Sequence, residues 1–338
     1  TADELVWAGI DMVSRANNHT GDYGVLGLQL TTRYVDQAGL VDAGVGSSLA
    51  EAREAKFLET SKARIALISL SSSFADHMRA GRSRDDVPAR PGLNPLRLKT
   101  TYILPEEPYE DVRAVADSLG AFTDLDGHPR GTDEEKPGQM DVLGRNFAIG
   151  DVPAIRREPN KDDVAEIMAV INNASRLADF TIVTIHAHQN GGRREIPDAF
   201  LPLFARAAIE SGADVFFGHG PHILQGIEIY QGKPIFYSLG NFIFQNETLL
   251  RLPSANYERY GLDELSHVAD FNDTRYENDS TGFPALQENW EAVIAVPTFE
   301  NRELTEVALY PIDLGFRKPR SVRGRPILAN DELGEKII

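Results

Sequence analysis

The chain contains no cysteine, which excludes disulfides, thiolate zinc sites and cysteine nucleophiles together. It is also short of positive charge: 34 Lys and Arg stand against 51 Asp and Glu, for a net charge of −17. That deficit argues against nucleic acid as a main partner, because phosphate binding needs a surplus of Lys and Arg. It leaves anionic substrates open, since a bound metal inverts the local field. No apolar run approaches the ~20 residues needed to span a bilayer. A signal peptide is missing too, but the chain opens on Thr1, inside what reads as a domain, and is compatible with an export signal removed upstream. What is present is a chain of 338 residues, 42% hydrophobic, able to bury one large core or two smaller ones.

Apolar spacing gives the organisation. A strand over Ile10–Ala16 is followed by a helix over Tyr23–Ala38, with Val25, Leu28, Thr32 and Val35 at helical spacing and Gly39 as its stop. A short helix over Ala50–Ala55 precedes strands at Lys56–Glu59 and Arg64–Leu70. Residues 71–104 read as loop, Glu106–Leu119 as helix, and 121–159 as a stretch rich in Gly, Pro and charge. The region 71–160 therefore reads as an insertion without a second core. Regular structure resumes with a helix over Asp162–Leu177, a strand over Phe180–Ile185 and a helix over Ala199–Glu210. Strands follow at Val215–Phe217, Gly226–Tyr230 and Pro234–Ser238, the last two joined as a hairpin across Gln231-Gly232-Lys233. Residues 246–285 read as an irregular lid or second insertion, and Trp290–Pro297 with Leu304–Pro311 as a closing antiparallel pair. The expected domain is 1–330, with 331–338 as a tail.

Five of the eight histidines fall in three short turns, each at the end of one of these strands. The turns are Ala16-Asn17-Asn18-His19, Thr184-Ile185-His186-Ala187-His188 and Gly218-His219-Gly220-Pro221-His222. Open α/β sheets bind ligands outside the carboxyl ends of their strands. Imidazoles gathered there from distant parts of the chain suggest a metal site, since neutral imidazole is the commonest protein ligand for Zn, Fe and Mn-type ions. In the first turn an amide oxygen is a hard neutral ligand, and the histidine after it is free to face substrate. Asp22 reads either as the group that orients His19 or as a helix cap, a role open to Thr20 as well. His188 shares a strand face with His186 and reads equally as a ligand or as a proton carrier behind one.

Weaker signals surround this core. Asn241 ends another strand and reads as a ligand-facing or imidazole-facing amide, or as a helix cap. Glu228 reads as the partner of a ligating histidine or as a solvated strand charge. Arg317, Lys318, Arg320, Arg323 and Arg325 crowd into nine residues, either as a solvated tail or as an anion-binding edge in which Arg317 and Arg320 grip substrate.

With these residues in view, the chain resembles the CapA/PgsA family of bacterial capsule and poly-γ-glutamate biosynthesis proteins, within the calcineurin-like metallophosphoesterase superfamily. The matching stretches are Ile10 to Gly24, Gly218-His219-Gly220-Pro221-His222, and Gly232-Lys233-Pro234-Ile235-Phe236-Tyr237-Ser238-Leu239-Gly240-Asn241-Phe242. With flanking helices they cover roughly 3–75 and 162–245. The resemblance implies a four-layer α/β/β/α metallophosphoesterase-like sandwich with the histidine loops at one sheet edge. It makes Asn18, His186, His219 and His222 metal ligands and His19 the acid at the reacting group; beside these, Asp22 and His188 are taken as catalytic support and Asn17 and Asn241 as substrate-binding.

The resemblance also implies two divalent ions, Mn, Zn or Fe, in the complete protein. Two departures stand out. The family's Gly-Asp and Asn-Leu-Glu strands, which supply carboxylate ligands, do not occur here, so the natural protein is expected to continue upstream. His186-Ala187-His188-Gln189 stands where many relatives have His-Trp-Gly and then a Glu. The implied function is a metal-dependent hydrolase of the cell envelope acting in capsule or poly-γ-glutamate synthesis, export or release, on a phosphoester or γ-glutamyl amide bond. The alternatives are a metal-assisted peptide epimerase and a non-catalytic subunit that holds an anionic polymer for a membrane-bound capsule synthase.

Overall fold

A computed structural model of the protein describes residues 1–122 and 137–338. The chain begins with helix α1 (Ala2–Trp7), strand β1 (Met12–Ser14) and helix α2 (Gly24–Ala38). Strands β2 (Val41–Ala43) and β3 (Val45–Gly46), helix α3 (Leu49–Arg53), and strands β4 (Lys56–Glu59), β5 (Arg64–Ser71) and β6 (Gly92–Leu93) follow. Next come β7 (Leu98–Leu104), α4 (Glu106–Ser118), β8 (Gln139–Val142), β9 (Arg145–Ile149) and β10 (Ala154–Pro159). The α/β pattern continues through α5 (Lys161–Ser175), β11 (Phe180–His186), α6 (Phe200–Glu210), β12 (Val215–His219), β13 (Ile227–Tyr230) and β14 (Lys233–Phe236). Helices α7 (Ser254–Arg259) and α8 (Val268–Arg275), strands β15 (Glu291–Glu300), β16 (Glu303–Asp313) and β17 (Ile327–Leu328), and helix α9 (Asp331–Ile337) complete it.

The chain divides into two compact units, Thr1–Pro95 with Ile167–Ile338, and Leu96–Glu166. The larger unit is organised on a six-stranded sheet in the order β13-β14-β12-β11-β5-β4. Its four inner strands run parallel, and the edge strands β4 and β13 run antiparallel to their neighbours. Parallel strands need cover on both faces, so they read as near-continuous apolar runs. β5 and β11 obey this, being buried along most of their length. α6 packs on this sheet through Phe200, Leu201, Phe204, Ala205, Ala208 and Ile209.

Register decides where the chemistry falls. Ile182–His186 of β11 lie opposite Val215–His219 of β12, so the two strands end level, with His186 beside His219. The short parallel pair β1–β2 lies against β4 and β5 and brings the Asn17–His19 turn to the same sheet end. Fusing the two parts is a knot of hydroxyls: Ser14 Oγ lies 2.7 Å from Ser69 Oγ, and Thr184 Oγ1 donates to Ser14 Oγ at 3.0 Å.

The α/β class expected from the sequence is the one adopted, with several mixed sheets. The loop expected over 71–104 contains β6 and β7, and the insertion is itself folded. Its sheet, in the order β10-β7-β9-β8, buries Ile103, Met140 and Ala148, and α4 buries Tyr109 and Ala116. The strands of this sheet were masked in the sequence by polar residues on their exposed face, as in β7, where only Thr101 and Ile103 are buried. Residues 123–136, part of the stretch read as rich in Gly, Pro and charge, lie outside the described residues. The lid region 246–285 holds α7 and α8. The expected tail is helix α9, capped by Asn330, whose Oδ1 accepts from the Leu333 N–H at 2.9 Å. Both expected hairpins form: β13–β14 turns at Gln231-Gly232 and β15–β16 at Asn301-Arg302, each with positive φ at both positions, as two-residue hairpins require.

Candidate functional site

Four imidazoles come together where β11 and β12 end. His186 Nδ1 and His219 Nδ1 are 3.0 Å apart, so one ring carries the proton and the other accepts it. The ring centroids of His186 and His188 lie 4.7 Å apart, those of His186 and His219 5.0 Å, and those of His188 and His222 5.6 Å. The backbone permits this approach through two glycines. A side chain at Gly218 would run into the Tyr237 carbonyl, and Gly220 adopts φ 118° over the Ala187 backbone. His222 itself sits at φ 61°, a conformation that costs energy in a non-glycine residue and gathers at functional sites.

Burial fixes the protonation state of the cluster. Removal from water pushes His186 down to about 2, and the neighbouring imidazoles add to the shift. His188 and His219 are pushed down to about 4, again mainly by burial. His222 is lowered by burial and by the Arg194 charge, against an opposing hydrogen bond to Asn241. All four rings are neutral at pH 7, the form in which imidazole ligates metals. His186 Nε2 and His188 Nε2 are buried without a hydrogen-bond partner among the described residues. His222 Nδ1 lies 2.8 Å from Asn241 Oδ1, which leaves its Nε2 free to accept, the arrangement of a ligand oriented from behind.

The donor set therefore fits a borderline divalent cation in chemistry: neutral imidazoles, two of them with orphaned buried nitrogens. Its arrangement is one of pairs. Among the described residues no group of three His, Asp or Glu side chains converges around one point.

A cavity of about 880 Å³ opens beside the cluster and is lined by Asn18, His19, Asp22, His188, Arg194 and His222 among others. His19 is exposed there, with its Nδ1 2.7 Å from Asp22 Oδ2. Neither Asp22 nor Thr20 caps α2: Asp22 holds His19, and Thr20 Oγ1 donates to the carbonyls of Arg15 and Asn17. Asn17 builds the turn, its Oδ1 accepting from the His19 N–H at 2.8 Å, and is not among the cavity's lining residues.

Arg317 and Arg320 are not brought to this cavity; they line a separate one of about 540 Å³ with Asp279 and Arg323. Arg320 is paired with Asp273 and Asp279, Arg323 with Glu247 and Asp279, and Lys318 with Asp313. Glu228 meets no histidine, being held by Arg206 Nε at 2.8 Å and by the Tyr237 hydroxyl at 2.6 Å.

The chain matches the model of a family described as bacterial capsule synthesis protein PGA_cap over residues 1–246. It belongs to that family. Among relatives of this capsule-synthesis chain, the uncharacterized protein y4sH of Sinorhizobium fredii is 38% identical over 96% of the chain and 70% of its own length. The PGA biosynthesis protein CapA of Bacillus subtilis is 27% identical over 69% of the chain and 42% of its own length. The capsule biosynthesis protein CapA of Bacillus anthracis is 22% identical over 70% and 41%. Among the described residues, no helix of this family member is long and apolar enough to cross a membrane.

Residues that sequence reasoning passed over complete the site. Ser72 and Ser73 donate to Gln189 Oε1 at 2.8 and 3.2 Å, and Ser73 Oγ accepts from the His188 N–H at 2.8 Å, fixing the path of the chain after β11. The Ser71-Ser72-Ser73 run, read only as loop, was the available signal. Arg194 was hidden in an ordinary Gly-Gly-Arg-Arg loop, and no spacing rule points to it.

Proposed function

We propose that this chain is a metal-dependent hydrolase of capsule or poly-γ-glutamate synthesis, export or release, working in the cell envelope alongside a membrane-bound synthase. The observation that carries the reading is the neutral imidazole cluster at the ends of β11 and β12, opening on a cavity that also presents the His19–Asp22 pair. In this reading Asn18, His186, His219 and His222 hold divalent ions, Mn, Zn or Fe. Such ions polarise the scissile bond and make a nucleophile available at neutral pH.

The chain's own residues do the rest. His19, steadied by Asp22, donates a proton to the leaving group, a phosphoester oxygen or a γ-glutamyl amide nitrogen. Asn241 keeps the Nδ1 proton of His222 in place, and Ser73 fixes the backbone at His188, the ring available to move a proton out of the buried pair.

The test is metal content and turnover together. The protein as it occurs naturally is loaded with Mn, Zn or Fe salts, its retained metal measured, and phosphodiester and γ-glutamyl anilide substrates screened. Retained metal with turnover, both lost in His219→Ala, is the expected result. Turnover that survives in His219→Ala without metal overturns the reading. A second reading, a non-catalytic polymer-holding subunit, is supported by the absence of any threefold convergence of His, Asp or Glu among the described residues. It predicts polymer binding with no turnover under any metal.

A further inference from the structure

The walls of the histidine cavity invert the charge of the molecule. In a chain with 51 acidic and 34 basic residues, this cavity is lined by two arginines, Arg194 and Arg275, and a single carboxylate, Asp22, which is held by His19. A cleft whose walls carry more cations than carboxylates favours an anionic guest.

Arg194 is fixed from several sides. Its carbonyl accepts from Gln225 Nε2 at 2.7 Å, and its Nη2 donates to the Pro221 carbonyl at 3.2 Å and to Asn289 Oδ1 at 3.1 Å. Its Nη1 also forms an ion pair with Glu288 Oε1 at 3.5 Å. A guanidinium has five N–H donors, and three of those on Arg194 have partners among the described residues. Asn289 in turn accepts at its backbone carbonyl from Asn241 Nδ2 at 2.9 Å, and Asn241 holds His222. The guanidinium is thus tied to the imidazole cluster through two buried or half-buried amides. Arg275, the last residue of α8, lies 5.0 Å from the Tyr276 ring and 5.8 Å from the Phe271 ring, and it makes no ion pair among the described residues. These are two cations on the cavity wall, one rigidly linked to His222 and one contributed by the 246–285 segment.

We propose that Arg194 and Arg275 form a two-sided clamp that grips successive anionic groups of a polymer and lays the bond between them across the histidine cluster. This rests on the hydrolase reading for what happens to the bond, not for the binding itself. The chemistry recognised is a chain of carboxylates or phosphates, since a guanidinium fork grips either.

The test reads binding without turnover. Fluorescently labelled γ-linked oligoglutamate, polyphosphate of similar length and neutral γ-linked oligoglutamine are titrated into the metal-free, full chain at low salt. Tight binding of an anionic chain and none of oligoglutamine is expected, and the stronger of the two anions identifies the group that is read. Arg275→Gln, an exposed position, should weaken that binding about 10-fold or more, the range of a charge-assisted hydrogen bond. Arg194→Lys, which keeps charge but loses the fork, should weaken it about 5-fold or more.

Unchanged affinity in both variants, with unchanged urea midpoints, overturns the clamp, as does equal binding of oligoglutamine. The two readings fail separately. Loss of the clamp effect with metal and turnover retained sinks only the clamp. A clamp effect in a chain that never retains metal or turns over substrate sinks only the hydrolase.

Discussion

Two clusters of titratable side chains in this molecule look alike in sequence and opposite in structure. The histidines at the ends of β11 and β12 face one another and leave buried nitrogens without partners among the described residues. In the basic run Arg317–Arg325, Arg320 and Arg323 sit on carboxylates of the 246–285 segment, and Lys318 sits on the nearby Asp313. Density along the sequence is the same kind of signal in both. What separates them is the count of partners after folding. A group left short of partners in a cleft is available for chemistry, and a group matched on all sides is holding the chain together.

The comparison breaks most sharply at His19. If the histidine side is the working one, His19→Ala lowers turnover by about 10²–10⁴-fold, as loss of a general acid does. Metal content and the urea midpoint should stay as they are, because His19 is exposed and its main polar partner is Asp22. Unchanged turnover in a metal-loaded protein would remove the mechanism, and unfolding would make His19 a structural residue.

On the other side the expected loss is of stability. Arg323 is 4% exposed, stacks over Trp290 with its Cζ 5.3 Å from the ring centroid, and neutralises Glu247 and Asp279. Arg323→Ala leaves the nearly buried Glu247 carboxylate without its partner, and breaking a buried pair from one side costs about 3–5 kcal/mol. Urea unfolding reads this directly. A loss under about 1 kcal/mol would show that the pair behaves as a surface pair and that the matched-cluster description is wrong.

Acid sharpens the contrast further. His186, His188 and His219 have folded values lowered from 6.5 to about 2, about 4 and about 4. Between those values and 6.5 the unfolded chain binds protons that the folded chain refuses. Stability is therefore fully present above about pH 6.5 and falls as pH drops from there toward 4. The metal-free chain should show a urea midpoint that falls steadily below pH 6.5, with a shallower fall in His188→Gln. A midpoint flat from pH 7 to 5 would mean the rings are not held neutral.

Much of this was legible beforehand, and the gaps have physical causes. The strands ending in His186 and His219 were readable because parallel strands covered on both faces carry continuous apolar runs, and α6 because its apolar face repeats at helical spacing. The meeting of those histidines was readable only as a consequence of both sitting at strand ends, and their 3.0 Å contact follows from a register that no local pattern encodes. The sheet of the Leu96–Glu166 unit was missed because its strands bury few residues, none in β10 and one each in β8 and β9, and so carry little apolar signal. The fate of Arg320 and Arg323 was invisible because their partners Glu247, Asp273 and Asp279 lie 41 to 76 residues away. Asn241 was legible as an amide facing a ligand or an imidazole, or as a helix cap, without deciding between them; that it holds His222 and that its other end rests on Asn289 are facts of packing.

The smallest expected effect is the most discriminating one for the basic run. Arg317 is an exposed member, at φ 58°, with its guanidinium 5.1 Å over the Phe316 ring and no ion pair among the described residues. Left-handed backbone costs an ordinary residue about 1 kcal/mol or more, and a stacked guanidinium at an exposed ring returns about 0.5–1 kcal/mol. Ala at the same φ keeps the first cost and loses the second, so Arg317→Ala should destabilise by no more than about 1 kcal/mol. If the run is structural scaffolding, the same change leaves anionic-polymer affinity unaltered, where Arg275→Gln weakens it. A loss on Arg317→Ala as large as that on Arg275→Gln would move substrate recognition out of the histidine cavity and onto the C-terminal loop, reversing the contrast between the two clusters.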